Sequence, residues 1–158
     1  EFDWRISLAT IAHDGPFSIF DGIDRTLALV EGPGASLDID GDSPFVPNEE
    51  APVVEFPGEA QVIAAVLGAP TTDLNVMTRR SRCHHRLGRR VLEGISEFAP
   101  RGDITILFLA DGESLSASSD AERIGMVRFD AVIFDSDAVW KLETGQATVL
   151  VIDIFIDD

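Results

Sequence analysis

Polar and apolar residues alternate along much of this chain with the period of two that marks β-strands. In Trp4-Arg5-Ile6-Ser7-Leu8 the apolar side chains fall on one face, as a half-buried antiparallel strand requires. Segments rich in β-branched and aromatic residues, bounded by Gly, Pro or Asp, recur at short spacing; RTLALVEG, ASLDIDG, APVVEFPG, AQVIAAVLG, DLNVMTRRS, DITILFLADG and TVLVIDIFID are examples. Helical periodicity is confined to Arg89 through Phe98, where Gly94 weakens it. The pattern predicts an all-β chain.

The pattern also repeats. VEGPGASLDID, VVEFPGEAQVIAAVLG and TTDLNVM in the first half are matched, in order, by LADGESLSASS, AVIFDSDAVWKLETG and QATVLVIDI in the second. Ser36-Leu37 aligns with Ser114-Leu115 and Phe56 with Phe134 at a common offset; after a single-residue deletion Gly68 aligns with Gly145 and Asn75 with Ile152. Two small β units of this kind predict paired jelly-roll barrels, the double-stranded β-helix of cupins present twice, hence a bicupin. The expected division is an N-terminal cupin-like barrel over residues 1–98 and a smaller C-terminal one over residues 99–158.

Composition narrows the partners. Twenty-eight Asp and Glu against twelve Lys and Arg give a formal net charge of −16 and a pI near 4.3, a field that repels phosphate backbones and anionic membranes. With 45% hydrophobic residues, the 158-residue chain has the apolar surface to build a core. Cys83 has no second cysteine to pair with, and EFDWRIS lacks the pattern of a signal peptide, so the expected location is cytoplasmic. Charges or glycines interrupt every apolar run before the roughly 18 residues of a membrane helix, so no membrane partner is expected. No initiator Met is present and a strand pattern begins almost at once, which suggests further sequence upstream.

Against this acidic background stands RRSRCHHRLGRR, residues 79–90, with six of the twelve cations. The arginines from Arg82 to Arg90 read as solvated charges on a strand and turn between the barrels, where they discourage edge pairing. Residues 79–97 offer no aromatic for stacking bases, so nucleic acid is not expected; contact with an acidic patch of another chain suits them better, and a homodimer is the candidate assembly. Adjacent His84 and His85 would point to opposite faces of a strand, and Cys83 with His85 would supply two ligands where a closed site needs three or four. No metal and no other cofactor is expected. Asp40-Gly41 reads as a type I′ hairpin turn rather than part of a calcium loop, because Ser43 stands where that loop needs Gly.

Two clusters carry candidate chemistry. On a strand DLNVMTRR, Asp73, Asn75, Met77 and Arg79 share one face and Leu74, Val76, Thr78 and Arg80 the other. An arginine beside an amide and a thioether in a barrel mouth suits a carboxylate, since the guanidinium offers a bidentate fork and Met an adaptable wall. Alternatively Arg79 pairs with Asp73 or another acid as a structural contact. In GPFSIFDGIDRTL the bracketing turns place Ser18, Phe20, Asp24 and Arg25 at a mouth loop, where Arg25 would supply a second cation for a dicarboxylate, or an Asp24–Arg25 pair would fix the loop.

WRISLATIAHDGPFSIFDGIDRTLALVEG (residues 4–32), FPGE (56–59) and DLNVMTRR (73–80) together resemble the HutD/Ves family of bacterial proteins associated with histidine utilisation. The resemblance covers most of the first half; the second resembles the family only in its barrel plan. Members usually carry a further segment before the WRIS strand, absent here, and a Phe-Pro-Gly where this chain has Phe20-Asp21-Gly22. The resemblance implies a bicupin with no established catalytic activity that binds or senses a small organic anion of histidine catabolism, of the urocanate or formylglutamate class. The expected ligand-binding residues are Ser18, Asp24, Arg25, Asn75, Met77 and Arg79, with no catalytic residue. The alternatives are a metal-independent cupin-type isomerase or hydrolase acting through Glu59, His13 or His85, and a protein-interaction module docking on Arg82 to Arg90.

Overall fold

A computed structural model describes residues 2–48, 50–134 and 137–157. Thirteen strands and no helix occur among the described residues, so none is long and apolar enough to cross a membrane. The chain divides into two compact units, residues 1–84 with 157–158, and residues 85–156.

The first unit pairs its strands antiparallel in two sheets. One has the order β1 (Trp4–Ile11), β7 (Thr71–Arg79), β3 (Ile23–Glu31), β5 (Val53–Pro57); the other has β2 (Gly15–Pro16), β6 (Val62–Val66), β4 (Ala35–Ile39). The three-stranded sheet keeps the alternation the sequence announces: in β6, Val62 and Ala64 are buried and Ile63 between them is exposed. The inner strands β3 and β7 are buried on both faces, so Leu27 and Ala28, or Val76 and Met77, are equally enclosed. Leu27, Leu37, Phe56, Val62 and Ala64 form the unit's core. Asp40 (φ 54°) and Gly41 (φ 81°) both adopt the left-handed conformation, and Asp42 N–H closes the turn on Ile39 carbonyl at 3.0 Å, the geometry of the expected type I′ turn.

In the second unit one curled sheet runs β11 (Arg123–Val127), β10 (Ser114–Ser118), β13 (Trp140–Ile156), β9 (Ile104–Gly112), β12 (Ala131–Phe134), with β8 (Cys83–Phe98) also paired to β13. The 17-residue β13 pairs with β10 at Lys141–Glu143 and with β9 at Ala147–Ile154. Its core is apolar throughout, with Leu107, Leu109, Val149 and Val151 beside Phe98, Phe134 and Trp140. The chain divides inside β8, so residues 85–98, expected in the first barrel, group with the second unit.

This strand also carries most of the arginine-rich stretch. Arg86 lies 5.5 Å from the Phe155 ring centroid and Arg90 5.8 Å from that of Phe98, so both guanidinia pack over aromatic faces rather than standing wholly in solvent. His84 bonds Asp157 at 2.9 Å, and the buried Cys83 thiol donates to the Asp3 carbonyl at 3.2 Å. Among the described residues no three His, Cys, Asp or Glu side chains gather as a metal site needs.

Candidate functional site

The polar face of β7 opens into a cavity of about 360 Å³ within the first unit. Strand register stacks its wall in three rungs. Arg25 and Arg5 flank Met77, Leu27 and Ser7 flank Asn75, and Leu29 and Ala9 flank Asp73. Phe17, Ser18 and Phe20, from the loop between β2 and β3, complete the lining around Arg25.

Arg25 is 6% exposed, and no carboxylate pairs with it among the described residues. Its Nη1 donates to the Ser18 carbonyl at 3.1 Å, and its guanidinium lies 5.5, 5.4 and 5.0 Å from the ring centroids of Phe17, Phe20 and Phe56. The three rings stabilise the cation through their faces while excluding water. Burial lowers its pKa to about 10, which leaves it charged at neutral pH. Asp73 is 3% exposed, and burial raises its carboxyl to about 6.

Four buried side-chain polar atoms among the described residues lack a hydrogen-bond partner, and three of them belong to this wall: Arg25 Nε, Asn75 Oδ1 and Asp73 Oδ1. The fourth is Trp140 Nε1 in the second unit. An unpaired buried group costs about 1–3 kcal/mol, and three of them share this one cavity wall. A wider groove of about 800 Å³ on the second unit, lined by Ser114, Arg123 and Glu143 among others, holds none of these atoms.

Of the expected site residues, Ser18, Arg25, Asn75 and Met77 come together here, with the Ser18 carbonyl orienting Arg25. Asp24 and Arg79 do not line the cavity. Asp24, adjacent to Arg25 on a strand, points the opposite way and pairs with Arg80 at 2.7 Å. Arg79 closes β7, where its Nε donates to the Phe2 carbonyl at 3.1 Å. Arg80 also holds Glu59 at 3.2 Å, and Glu59 accepts the Gly22 N–H at 2.7 Å. The Arg80 bond, then the Gly22 bond, lower the Glu59 carboxyl to about 2, an engaged surface ion rather than a general base. Glu59, His13 and His85 all lie outside the cavity lining. Sequence reasoning missed Arg5, Ser7 and Asp73. The first two become visible only once β1 is known to lie beside β7; Asp73 was already on the correct face.

A family model described as HutD matches residues 1–152. The chain is 32% identical over 127 residues to an uncharacterised 21.2 kDa protein of the hutC 3′ region of Pseudomonas putida, covering 79% of this chain and 65% of that protein. It is 33% identical over 109 residues to protein Ves of Citrobacter koseri, covering 68% and 56% respectively. The chain thus spans less than two thirds of either relative's length. HutD from Pseudomonas fluorescens SBW25, solved in a formate condition, superposes over 99% of this chain and 81% of its own with a TM-score of 0.77 at 24% identity, so the β-rich cupin-like fold is shared. By the extent of the family match and the identity to these relatives, the chain belongs to the HutD family.

Proposed function

We propose that the chain binds or senses a small organic anion in the first unit's cavity, without catalysis, with Arg25 as the anion's partner and Ser18, Asn75 and Met77 around it. The observation that carries this reading is the buried guanidinium with an unpartnered Nε and no carboxylate beside it among the described residues. A structural arginine at that depth would be paired. The formate condition of the Pseudomonas fluorescens structure and the hutC region in the name of the Pseudomonas putida relative direct the search to small acids of histidine catabolism. The test is thermal unfolding with formate, urocanate, formylglutamate, histidine and glutamate. A ligand at about 100 times its Kd stabilises by about 2.7 kcal/mol, a rise of about 5–10 °C. A shift that Arg25→Met removes supports the reading; no shift with any acid refutes the histidine-pathway assignment.

We also infer that the two units are duplicated barrels, the bicupin plan. Supporting this, β3 pairs with β5 and β7 as β9 pairs with β12 and β13, and β4 pairs with β6 as β10 pairs with the start of β13. Each inner pair is interrupted by a register shift, after Leu29 in one and before Val149 in the other. Just beyond, Gly32 (φ 100°) and Gly112 (φ 118°) press against the strand opposite, where a Cβ would strike the carbonyl oxygens of Pro70 and Gln146. Counted from these shifts, the position in the second unit that corresponds to Asn75 is Val151, one residue from the Ile152 of the sequence alignment.

A further inference from the structure

The cavity's three rungs differ in polarity from end to end. Arg25 and Arg5 stand at the Met77 rung, Asn75 and Ser7 lie in the middle, and Asp73 occupies the last. At about 3.3 Å per residue, the Cα atoms of Met77 and Asp73 are about 13 Å apart along β7. No cation answers Asp73 among the described residues, and its Oδ1 has no partner. A carboxylate sequestered for packing alone would be paired, because an unpaired buried charge is strongly disfavoured. Asn75 can turn its amide either way, but a carboxylate carries no donor when ionised, so the demand for a ligand donor rests on Asp73. A dicarboxylate would bring its second charge toward a like charge, whereas an N–H or ammonium group would satisfy the orphaned oxygen.

We propose that the cavity is two-ended: the Arg25 end takes a carboxylate, and Asp73 selects ligands that carry a nitrogen donor at the opposite end, so that nitrogen-bearing monocarboxylic acids are bound and dicarboxylates are rejected. The proposal rests on the anion reading of Arg25 and adds the ligand class. It replaces the expectation that Arg25 would be a second cation for a dicarboxylate.

The test is calorimetric titration of the full chain at pH 7.5 with 5-aminopentanoate, hexanoate and adipate, which place ammonium, methyl and carboxylate on the same carbon chain, together with the set one methylene shorter: 4-aminobutanoate, pentanoate and glutarate. In at least one set the amino acid binds at least about tenfold tighter than both its counterparts. Asp73→Asn brings it to within about threefold of the alkanoate while the alkanoate's own affinity holds; Asp73→Ser serves the same purpose should the first variant fold poorly. Dicarboxylates binding as tightly as the amino acids, or a preference that survives either variant, overturns the donor rule and leaves the anion reading standing. Absence of binding by all six acids to the unsubstituted chain overturns both.

Discussion

Asp73→Asn is expected to stabilise the unliganded protein, and to do so more as the pH rises. Burial raises the Asp73 carboxyl from 3.8 to about 6, so between those values the folded protein holds a proton that the unfolded chain releases. Stability from this group is therefore fully present below pH 3.8 and is lost as the pH climbs through about 6. At 1.36 kcal/mol per pH unit, the rise to about 6 corresponds to about 3 kcal/mol lost above pH 7. An isosteric amide has no such loss, so the stability difference between variant and parent should grow from about 2 kcal/mol at pH 5 to about 3 kcal/mol at pH 8. The other charged residues lining the cavity are two arginines, Arg5 and Arg25, and among the described residues no second carboxylate or histidine lines it, so the slope belongs to Asp73. Urea denaturation of both proteins at matched pH values measures it, and for a chain of this length the pH 8 gain equals about 6–12 °C in Tm. A difference that stays flat between pH 5 and 8, or a variant less stable than its parent at pH 8, would refute the placement of an unpaired carboxylate in this wall.

Four further outcomes follow from the same geometry. Arg25→Met should abolish carboxylate binding in calorimetry while far-UV circular dichroism stays unchanged, because the three phenylalanine rings remain to hold an apolar chain. Arg79→Met should leave ligand affinity within about threefold, because Arg79 lies outside the cavity lining; a loss of about tenfold or more would place it in the site. Gly58→Ala should lower stability by more than about 1 kcal/mol and weaken binding as well, since a Cβ there strikes the carbonyl oxygen of Phe20, whose ring lies against Arg25; retained affinity on titration would show that this turn does not set the arginine. Asn75→Val should leave the protein as stable as its parent or more so in urea denaturation, because it removes an unsatisfied oxygen from a buried rung.

Much of the fold was legible because its cause is local. Alternation in β6 and the Asp40-Gly41 turn are written in side-chain order and in the φ values that Asp and Gly tolerate, and the structure has both. The candidate site was legible only by face. Parity grouped Asp73, Asn75, Met77 and Arg79, but it does not say where a strand ends, and Arg79 is the last residue of β7. Asp73 and Arg79 are six positions apart along the strand, about 20 Å, so the suspected pairing along one strand was excluded by arithmetic alone. Asp24 was misjudged for a related reason: with β3 beginning at Ile23, Asp24 and Arg25 are strand residues on opposite faces rather than neighbours in a loop. Arg5 depended on tertiary pairing, since nothing in WRISL says which strand will lie beside it.

On the duplicated plan inferred above, the second unit identifies which of these polar residues such a unit can do without. Its inner pair has three rungs in the same order, ending at its own register shift: Thr105 with Asp153, Leu107 with Val151 and Leu109 with Val149. The Thr105 hydroxyl satisfies Asp153 at 2.6 Å, and the two rungs beyond it are wholly apolar and buried. The first unit sets Asn75 and Asp73 where the second has Val151 and Val149, and Arg25 and Met77 where it has the bonded Thr105 and Asp153. On that plan a unit closes with aliphatic side chains at those positions, and does so without orphaned atoms on them. The polar set in the first unit carries three unpaired atoms and a destabilised carboxylate, a cost that its fold does not require. Residues that lower stability and converge on one cavity have the character of a binding site, where affinity for a ligand is gained at the expense of the empty protein.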